Sequence, residues 1–116
     1  QALNNDSLTI YGSGNQTRSF CYVDDLIEGL YNLMYSRETG PINLGNPNEF
    51  TILDLANLIK NKLNKSLKLN FEELPLDDPR QRRPCIKKAK IKLNWEPKIL
   101  LDEGLDFTID YFKRNL

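Results

Sequence analysis

The chain has 116 residues, enough for one domain and too few for two. Sixteen basic residues balance sixteen acidic ones, so the net charge gives no case for nucleic acid or an anionic membrane, and no apolar run approaches the roughly 20 residues of a membrane helix. The lack of histidine excludes His triads and His-ligated metals, and Cys21 and Cys85 form no metal or disulfide pattern. We therefore expect no metal site.

The first half of the chain predicts a short strand, a glycine loop and an amphipathic helix. Leu8–Tyr11 alternates apolar and polar residues, as a strand does, and Gly12–Asn15 follows as a loop. Apolar residues with helical spacing begin at Val23 and continue to Met34, which predicts a helix with one buried face. After a Gly-Pro pair, Ile42–Leu44 is predicted as a second short strand.

The second half predicts three helices and one strand. Thr51 is a predicted N-cap with Asp54 as its capping-box acid, and the helix that follows is amphipathic. A half-buried strand over 67–72, a loop over 74–84, a basic helix over 86–93 and a last helix around 105–112 complete the pattern. Three short strands are few for this length, so we predict an α/β fold with an incomplete sheet. The chain begins at Gln1 rather than at Met, from which we expect a part of a longer protein.

Two polar loops carry groups that could bind an anion. The first, Tyr11–Arg18, combines two glycines, which allow the backbone to approach a ligand closely, with an arginine that can fork onto phosphate oxygens. The second, Asp77–Pro84, places three arginines in four positions, and its two aspartates or a bound pyrophosphate could balance them. Taken separately, each loop also fits a solvated turn.

Three other features of the sequence bear on function. The loop Gly45–Glu49 follows a predicted strand, where open α/β sheets bind ligands, although its composition fits any turn. Eight basic residues and one acid lie between Arg80 and Lys98, but aromatic residues for base stacking are nearly absent there, so we expect no nucleic-acid partner. The two cysteines are expected to be bystanders, because no base is visible for either.

Three segments together resemble the extended short-chain dehydrogenases that act on nucleotide sugars. They are Leu8–Phe20 with Tyr22-Val23-x-Asp25-Leu26, then Asn43–Ile52, then Asp77–Pro84 with Lys88-Ala89-Lys90 and Trp95-Glu96-Pro97. The last segment is similar to the UDP-glucuronate decarboxylase group of this family. The resemblance covers nearly the whole chain. It implies that residues 1–116 are the C-terminal nucleotide-sugar-binding portion of a Rossmann-type enzyme, with elements that pack on an N-terminal Rossmann domain.

The resemblance also implies roles for individual residues. Arg18 resembles the family arginine that contacts the substrate phosphates. Arg82 resembles a late arginine at the pyrophosphate and sugar end of the site, and it is the one catalytic candidate in this chain. Cys85 stands where the family usually has an aspartate, which would cap the next helix. The substrate loop before Arg18 consists of Tyr11, Gly12, Ser13, Gly14, Asn15 and Gln16.

The activity implied by the resemblance is the NAD-dependent conversion of UDP-glucuronate to UDP-xylose and CO₂. The family's Gly-rich dinucleotide turn and its Tyr-x-x-x-Lys pair do not occur in this chain. We therefore expect no cofactor-binding residue here, NAD held mainly by an N-terminal half, and no hydride transfer by this segment alone. The resemblance further implies a homodimer in the cytoplasm, or in the Golgi lumen for a membrane-anchored eukaryotic form. A related epimerase or dehydratase and a non-catalytic nucleotide-sugar-binding fragment are the alternatives.

Overall fold

The computed structural model describes all residues from 1 to 116, and the chain divides into two compact units. Unit 1 consists of Gln1–Arg18, Phe50–Arg82 and Leu105–Leu116, and unit 2 consists of Ser19–Glu49 and Arg83–Gly104. The elements in chain order are β1 (Leu8–Tyr11), β2 (Thr17–Ser19), α1 (Val23–Met34), β3 (Glu49–Thr51), α2 (Ile52–Leu63), β4 (Leu69–Glu72), α3 (Lys87–Leu93) and α4 (Leu101–Asn115). None of the helices combines the length and the apolar character needed to cross a membrane.

Unit 1 is built on a parallel pair of strands, β1 and β4, aligned so that Leu8 lies opposite Leu69 and Tyr11 opposite Glu72. Side chains two residues apart share a face of a strand, so Leu8 and Ile10 point together into the core of this unit. There they meet Ala56 of α2, and all three are buried. A second sheet of two strands pairs β2 with β3.

The start of α2 is set by the predicted capping box. The Asp54 backbone N–H donates to Thr51 Oγ1 at 2.9 Å, and the Thr51 N–H donates to Asp54 Oδ2 at 3.2 Å. These two bonds satisfy donors that a helix terminus otherwise leaves without partners. The prediction of this cap is confirmed, and the beginning of α2 follows from local sequence alone.

Unit 2 is organised around Trp95, which is only 2% exposed. Its indole Nε1–H donates to the backbone oxygen of Asp25 at 2.9 Å. The Asp25 carboxylate is itself buried, and its Oδ2 accepts from the N–H groups of Lys98 and Ile99 at 3.0 and 2.8 Å. A Cβ on Gly29 would lie 3.0 Å from the Trp95 ring, so only glycine allows α1 to approach this closely. The rest of the core consists of Ile86, Ala89 and Leu93, with Leu33, Ile42 and Leu44 packed against it.

Helix α1 has the predicted bounds, but it does not bury the predicted face. Its apolar residues Val23, Ile27 and Leu30 are 53, 56 and 53% exposed, and Met34 is 70% exposed. The buried residues of α1 are Asp25 and Gly29. The prediction of a buried apolar face is wrong for this chain. The side of α1 that faces Trp95 carries Gly29, which leaves room for the ring, and Asp25, whose backbone oxygen accepts from the indole.

Two further predictions of elements need correction. Ile42–Leu44 is not a strand, because no neighbouring strand pairs with it, and its apolar side chains instead pack against the core of unit 2. The strand predicted over 67–72 begins only at Leu69, and buried Leu67 precedes it. The three-residue strands β2 and β3 were not predicted, since three residues are too few for a recognisable alternation.

Candidate functional site

All the predicted site residues lie in unit 1, and the glycine loop follows directly from β1. Gly12 and Gly14 adopt φ values of +69° and +79°, the left-handed region that favours glycine. Gly14 is buried, and a Cβ there would lie 3.1 Å from Ile10 Cγ2 and 3.2 Å from Leu53 Cβ. The close approach that this glycine permits is therefore to the start of α2, and the loop shape is built into the core of unit 1.

The loop is held in place by hydrogen bonds to its own backbone and to α2. The carbonyl oxygens of Gly14 and Gln16 accept from the N–H groups of Leu53 and Ile52 at 3.0 and 3.1 Å. The Gln16 side chain donates back to the Tyr11 carbonyl at 2.6 Å. Gly14 and Gln16 thus fix the shape of the loop. Two of the first N–H groups of α2, which have no acceptor within the helix, donate to it.

The loop side chains that remain open to solvent are those at alternate positions. Tyr11 is 48% exposed, and Ser13 and Asn15 are also exposed. Ser13 Oγ accepts from the Asn15 N–H at 3.3 Å, which orders the tip of the loop. Among the residues of the loop before Arg18, these three have the exposed side chains.

Arg18 is held by two contacts. Its Nη2 donates to Asp78 Oδ1 at 2.5 Å, and its Nη1 donates to the Thr17 carbonyl at 2.7 Å. The Arg18 side chain is 19% exposed. A guanidinium has five N–H donors, so this arrangement leaves three of them for another partner.

The two arginine-bearing loops, predicted separately, are joined in the structure. The Thr17 N–H donates to the Arg80 carbonyl at 3.0 Å, and Thr17 pairs in parallel with Gln81. Arg18 and Arg82 each follow a paired residue by one position, so they occupy matching positions on the same face of this pairing. Arg82 is exposed.

The third arginine of the second loop takes no part in this pairing. Arg83 is the first residue of its segment of unit 2, and there its Nη1 lies 3.9 Å from Glu49 Oε2. Arg80 contributes its carbonyl to Thr17, and its side chain is exposed. The pairing of Thr17 with Gln81 thus gives Arg18 and Arg82 corresponding backbone positions, whereas Arg83 lies in unit 2.

One partner in the site was not foreseen. The sequence leaves open whether the two aspartates of the second loop or a bound pyrophosphate balance its arginines, and in the structure Asp78 pairs with Arg18, 60 residues earlier in the chain. Nothing in the local pattern indicates this pair, since it depends on the pairing of Thr17 with Gln81. Asp77 is exposed and takes no part in it.

The loop over 45–49 does not fulfil the expectation of a ligand site at a strand end, because no strand precedes it. Asn46 is buried, and its Oδ1 accepts from the Asn48 N–H at 3.0 Å, so it closes a turn.

Burial raises the pKa of the Cys21 thiol, and the Asp25 carboxylate raises it further, so this thiol stays protonated at neutral pH. Nowhere do three or more acidic or cysteine side chains group as metal ligands.

Cys85 lies one residue before the cap position of α3. The N-cap is Ile86, whose side chain makes no capping bond, and the helix begins at Lys87. The expectation that Cys85 replaces a capping aspartate is therefore wrong by one position. The structure shows Cys85 exposed, with its carbonyl accepting from Asn43 Nδ2 at 3.3 Å.

Comparison with known proteins agrees with these features. The sequence model of the NAD dependent epimerase/dehydratase family matches residues 1–45. Over its whole length, the chain is 53% identical to UDP-glucuronic acid decarboxylase 1 of Danio rerio and 50% identical to UDP-glucuronic acid decarboxylase 3 of Arabidopsis thaliana. The chain is therefore similar to members of this family over its whole length. It spans 28% and 34% of the lengths of those two relatives.

Solved structures show the same relationship. A UDP-glucuronic acid 4-epimerase from Bacillus cereus, crystallised with UDP-glucuronic acid and NAD, matches with a TM-score of 0.92 and 33% identity over 100% of this chain and 38% of its own. A UDP-glucose 4-epimerase from Thermotoga maritima, with UDP-glucose, matches with a TM-score of 0.93 and 30% identity over 98% of this chain and 37% of its own. The predicted fold, the α/β C-terminal portion of an extended short-chain dehydrogenase, is confirmed.

No segment of this chain fits the NAD of the family. A dinucleotide turn places its third glycine at the start of a helix, whose N-terminus meets the pyrophosphate. Here Thr17 stands at that third position, and the loop leads into strand β2 instead of a helix. No tyrosine is followed by a lysine four residues later. The loop over 12–17 therefore lacks the glycine and the helix N-terminus of a dinucleotide turn.

Proposed function

We propose that this chain is the UDP-sugar-binding part of an NAD-dependent UDP-glucuronate decarboxylase, which forms UDP-xylose and CO₂. The observation that carries the proposal is the pairing of Thr17 with Gln81, and it supports a site in which the next residue on each segment, Arg18 and Arg82, faces one ligand. The 53% identity to a UDP-glucuronic acid decarboxylase over the whole chain supports this substrate.

The substrate carries two anionic groups, a diphosphate that joins the uridine to the sugar and a carboxylate on the sugar. Arginine guanidinium groups suit both, because their planar donors bind phosphate and carboxylate oxygens in pairs. We assign Arg18 to binding the substrate phosphates. We assign Arg82 to the end of the site where the pyrophosphate meets the sugar. The exposed side chains of Tyr11, Ser13 and Asn15 line the approach, while Gly12, Gly14 and Gln16 keep the loop in shape.

The role of these residues is to position the sugar. Loss of CO₂ needs a carbonyl beta to the carboxylate, so that the electrons left behind are stabilised as an enolate. In this sugar C4 carries a hydroxyl, and an NAD⁺ bound outside this chain would supply the carbonyl by accepting a hydride from C4 and would return that hydride after CO₂ is lost. When the diphosphate is held in a fixed place, the sugar C4 lies at the same point in each catalytic cycle. Binding of the diphosphate then lowers the activation barrier at C4, because the reacting groups no longer have to find each other. The chemistry at C4 belongs to groups outside this chain.

Arg82→Lys in the complete enzyme tests the second arginine. Lysine keeps the charge but loses the paired donors, so we expect the KM for UDP-glucuronate to rise by about tenfold while kcat stays near normal. The measurement is steady-state kinetics with separation of the nucleotide-sugar products. Arg83→Lys, which makes the same change in the next residue but lies in unit 2 outside the candidate site, is the matched control.

Other outcomes of the same experiment are informative. A fall in kcat with accumulation of the 4-keto intermediate would give Arg82 a catalytic role at the sugar. Unchanged kinetics would remove Arg82 from the site. The solved 4-epimerases that match this fold make epimerisation the second candidate function. An epimerised or dehydrated sugar from the unmutated enzyme, in place of UDP-xylose, would contradict the decarboxylase assignment.

We also propose that the exposed apolar faces of α1 and α4 pack on an N-terminal Rossmann domain in the complete enzyme. Besides the α1 residues described above, Tyr111 of α4 is 61% exposed and Phe112 is 45% exposed. The isolated chain should therefore bind a hydrophobic dye and melt without cooperativity. A sharp two-state melt without dye binding would show that the 116 residues are self-sufficient.

The assembly and the compartment are proposals of the same kind. We infer a homodimer in the cytoplasm from the resemblance, with the Golgi lumen as the alternative for a membrane-anchored eukaryotic form. NAD, which the Bacillus cereus epimerase holds in its crystal structure, is proposed as the cofactor of the complete enzyme.

A further inference from the structure

We propose that Asp78 is a positioning residue for the substrate phosphates, which it orients through Arg18. This inference rests on the proposed function and adds a residue to it. Asp78 does not contact the ligand itself in this proposal. Its carboxylate fixes the guanidinium of Arg18 in the direction in which the phosphates bind.

The position of Asp78 is fixed by its own backbone. Its N–H donates to the Pro75 carbonyl at 3.1 Å, which closes a turn. Pro79 follows directly, and a residue before proline is restricted to extended conformations. The turn and Pro79 thus restrain the backbone that carries the Asp78 carboxylate, whose side chain is 31% exposed.

The contact between Asp78 and Arg18 orients the guanidinium without using all of its donors. Asp78 Oδ1 accepts a hydrogen bond from one N–H of Arg18 Nη2, and the Thr17 carbonyl oxygen accepts one from an N–H of Arg18 Nη1. Two acceptors on different nitrogens fix the plane of the group, and the remaining three N–H donors point in set directions. An arginine already held in one rotamer loses less entropy when a phosphate binds.

The same contact holds the second loop. Three groups of the second loop contact the segment Thr17–Arg18: the Asp78 carboxylate, the Arg80 carbonyl and the paired residue Gln81. Together these contacts hold the residues just before Arg82 against β2. A half-buried guanidinium also needs a counter-charge while the site is empty, and Asp78 supplies one. Both effects predict that removing this carboxylate weakens phosphate binding.

The test uses Asp78→Ala and Asp78→Asn in the complete enzyme, with UDP as the probe and UDP-glucuronate as substrate. We expect Asp78→Ala to raise the Kd for UDP and the KM for UDP-glucuronate by roughly tenfold, with kcat nearly unchanged. Asp78→Asn keeps an acceptor oxygen without the charge and should give a smaller rise. Asp77→Ala, an exposed carboxylate one residue away, is the matched control and should bind UDP as the unmutated enzyme does.

A second background separates positioning from a general effect on the loop. If Asp78 acts through Arg18, then adding Asp78→Ala to Arg18→Ala should change the Kd for UDP by less than about twofold. A full additional loss in that background would contradict the proposal, because Asp78 would then act independently of Arg18. Thermal melting of each variant identifies any that fails to fold, and Asp78→Asn then carries the test.

Three other results would overturn the inference. Unchanged UDP binding in Asp78→Ala would show that the ion pair orients nothing. Tighter UDP binding would show that Asp78 competes with the phosphates for Arg18. An equal loss in Asp77→Ala would point to loop charge in general. In each case, formation of UDP-xylose by the unmutated enzyme and weak UDP binding by Arg18→Ala would leave the proposed function intact.

Discussion

Arg18→Ala in the complete enzyme should raise the KM for UDP-glucuronate by roughly tenfold to over a hundredfold, because a hydrogen bond to a charged group contributes about 1.5–3 kcal/mol. The guanidinium is held by Asp78 and by the Thr17 carbonyl, with three donors left for phosphate oxygens. NAD binding should not change, since this chain has no dinucleotide turn. The measurements are steady-state kinetics and UDP binding by calorimetry.

The matched control for this prediction is Arg37→Ala, which removes an exposed arginine from unit 2. It should leave KM unchanged, which separates the loss of one oriented guanidinium from the loss of one positive charge. Equal effects of the two substitutions would mean that only long-range charge attracts the substrate. An unchanged KM in Arg18→Ala would remove Arg18 from the site.

Trp95→Ala should destabilise the complete enzyme by about 3–5 kcal/mol, the usual cost of deleting a large buried aromatic side chain. Trp95 is 2% exposed and is the largest side chain in the core of unit 2. Thermal melting should show a fall in Tm on the order of 10 °C.

Trp95→Phe divides this effect into packing and hydrogen bonding. Phenylalanine keeps most of the apolar contact but cannot donate to the Asp25 carbonyl, which the indole meets at 2.9 Å. A buried acceptor left without a partner costs about 1–3 kcal/mol, so this variant should lie between the unmutated protein and Trp95→Ala. If both variants had the same Tm as the unmutated protein, Trp95 would not stabilise the fold.

Local interactions explain what the sequence by itself determined. The bounds of α1 follow from the helical spacing of its apolar residues, and the start of α2 follows from Thr51 and Asp54, whose bonds span three residues. The order of a strand, a glycine loop and an arginine was also readable, because each depends on neighbours in the chain. The resemblance then selected Arg18 and Arg82 as candidate site residues.

Contacts between distant segments decided the rest. The face that α1 buries depends on Trp95, about 70 residues later, and the strand predicted at Ile42–Leu44 failed because a strand needs a partner that no short pattern reveals. In the candidate site, Thr17 meets Gln81 and Arg18 meets Asp78 across 60 residues or more. The guanidinium positions thus depend on how two loops pair, since hydrogen bonds between distant strands leave no periodicity in either segment.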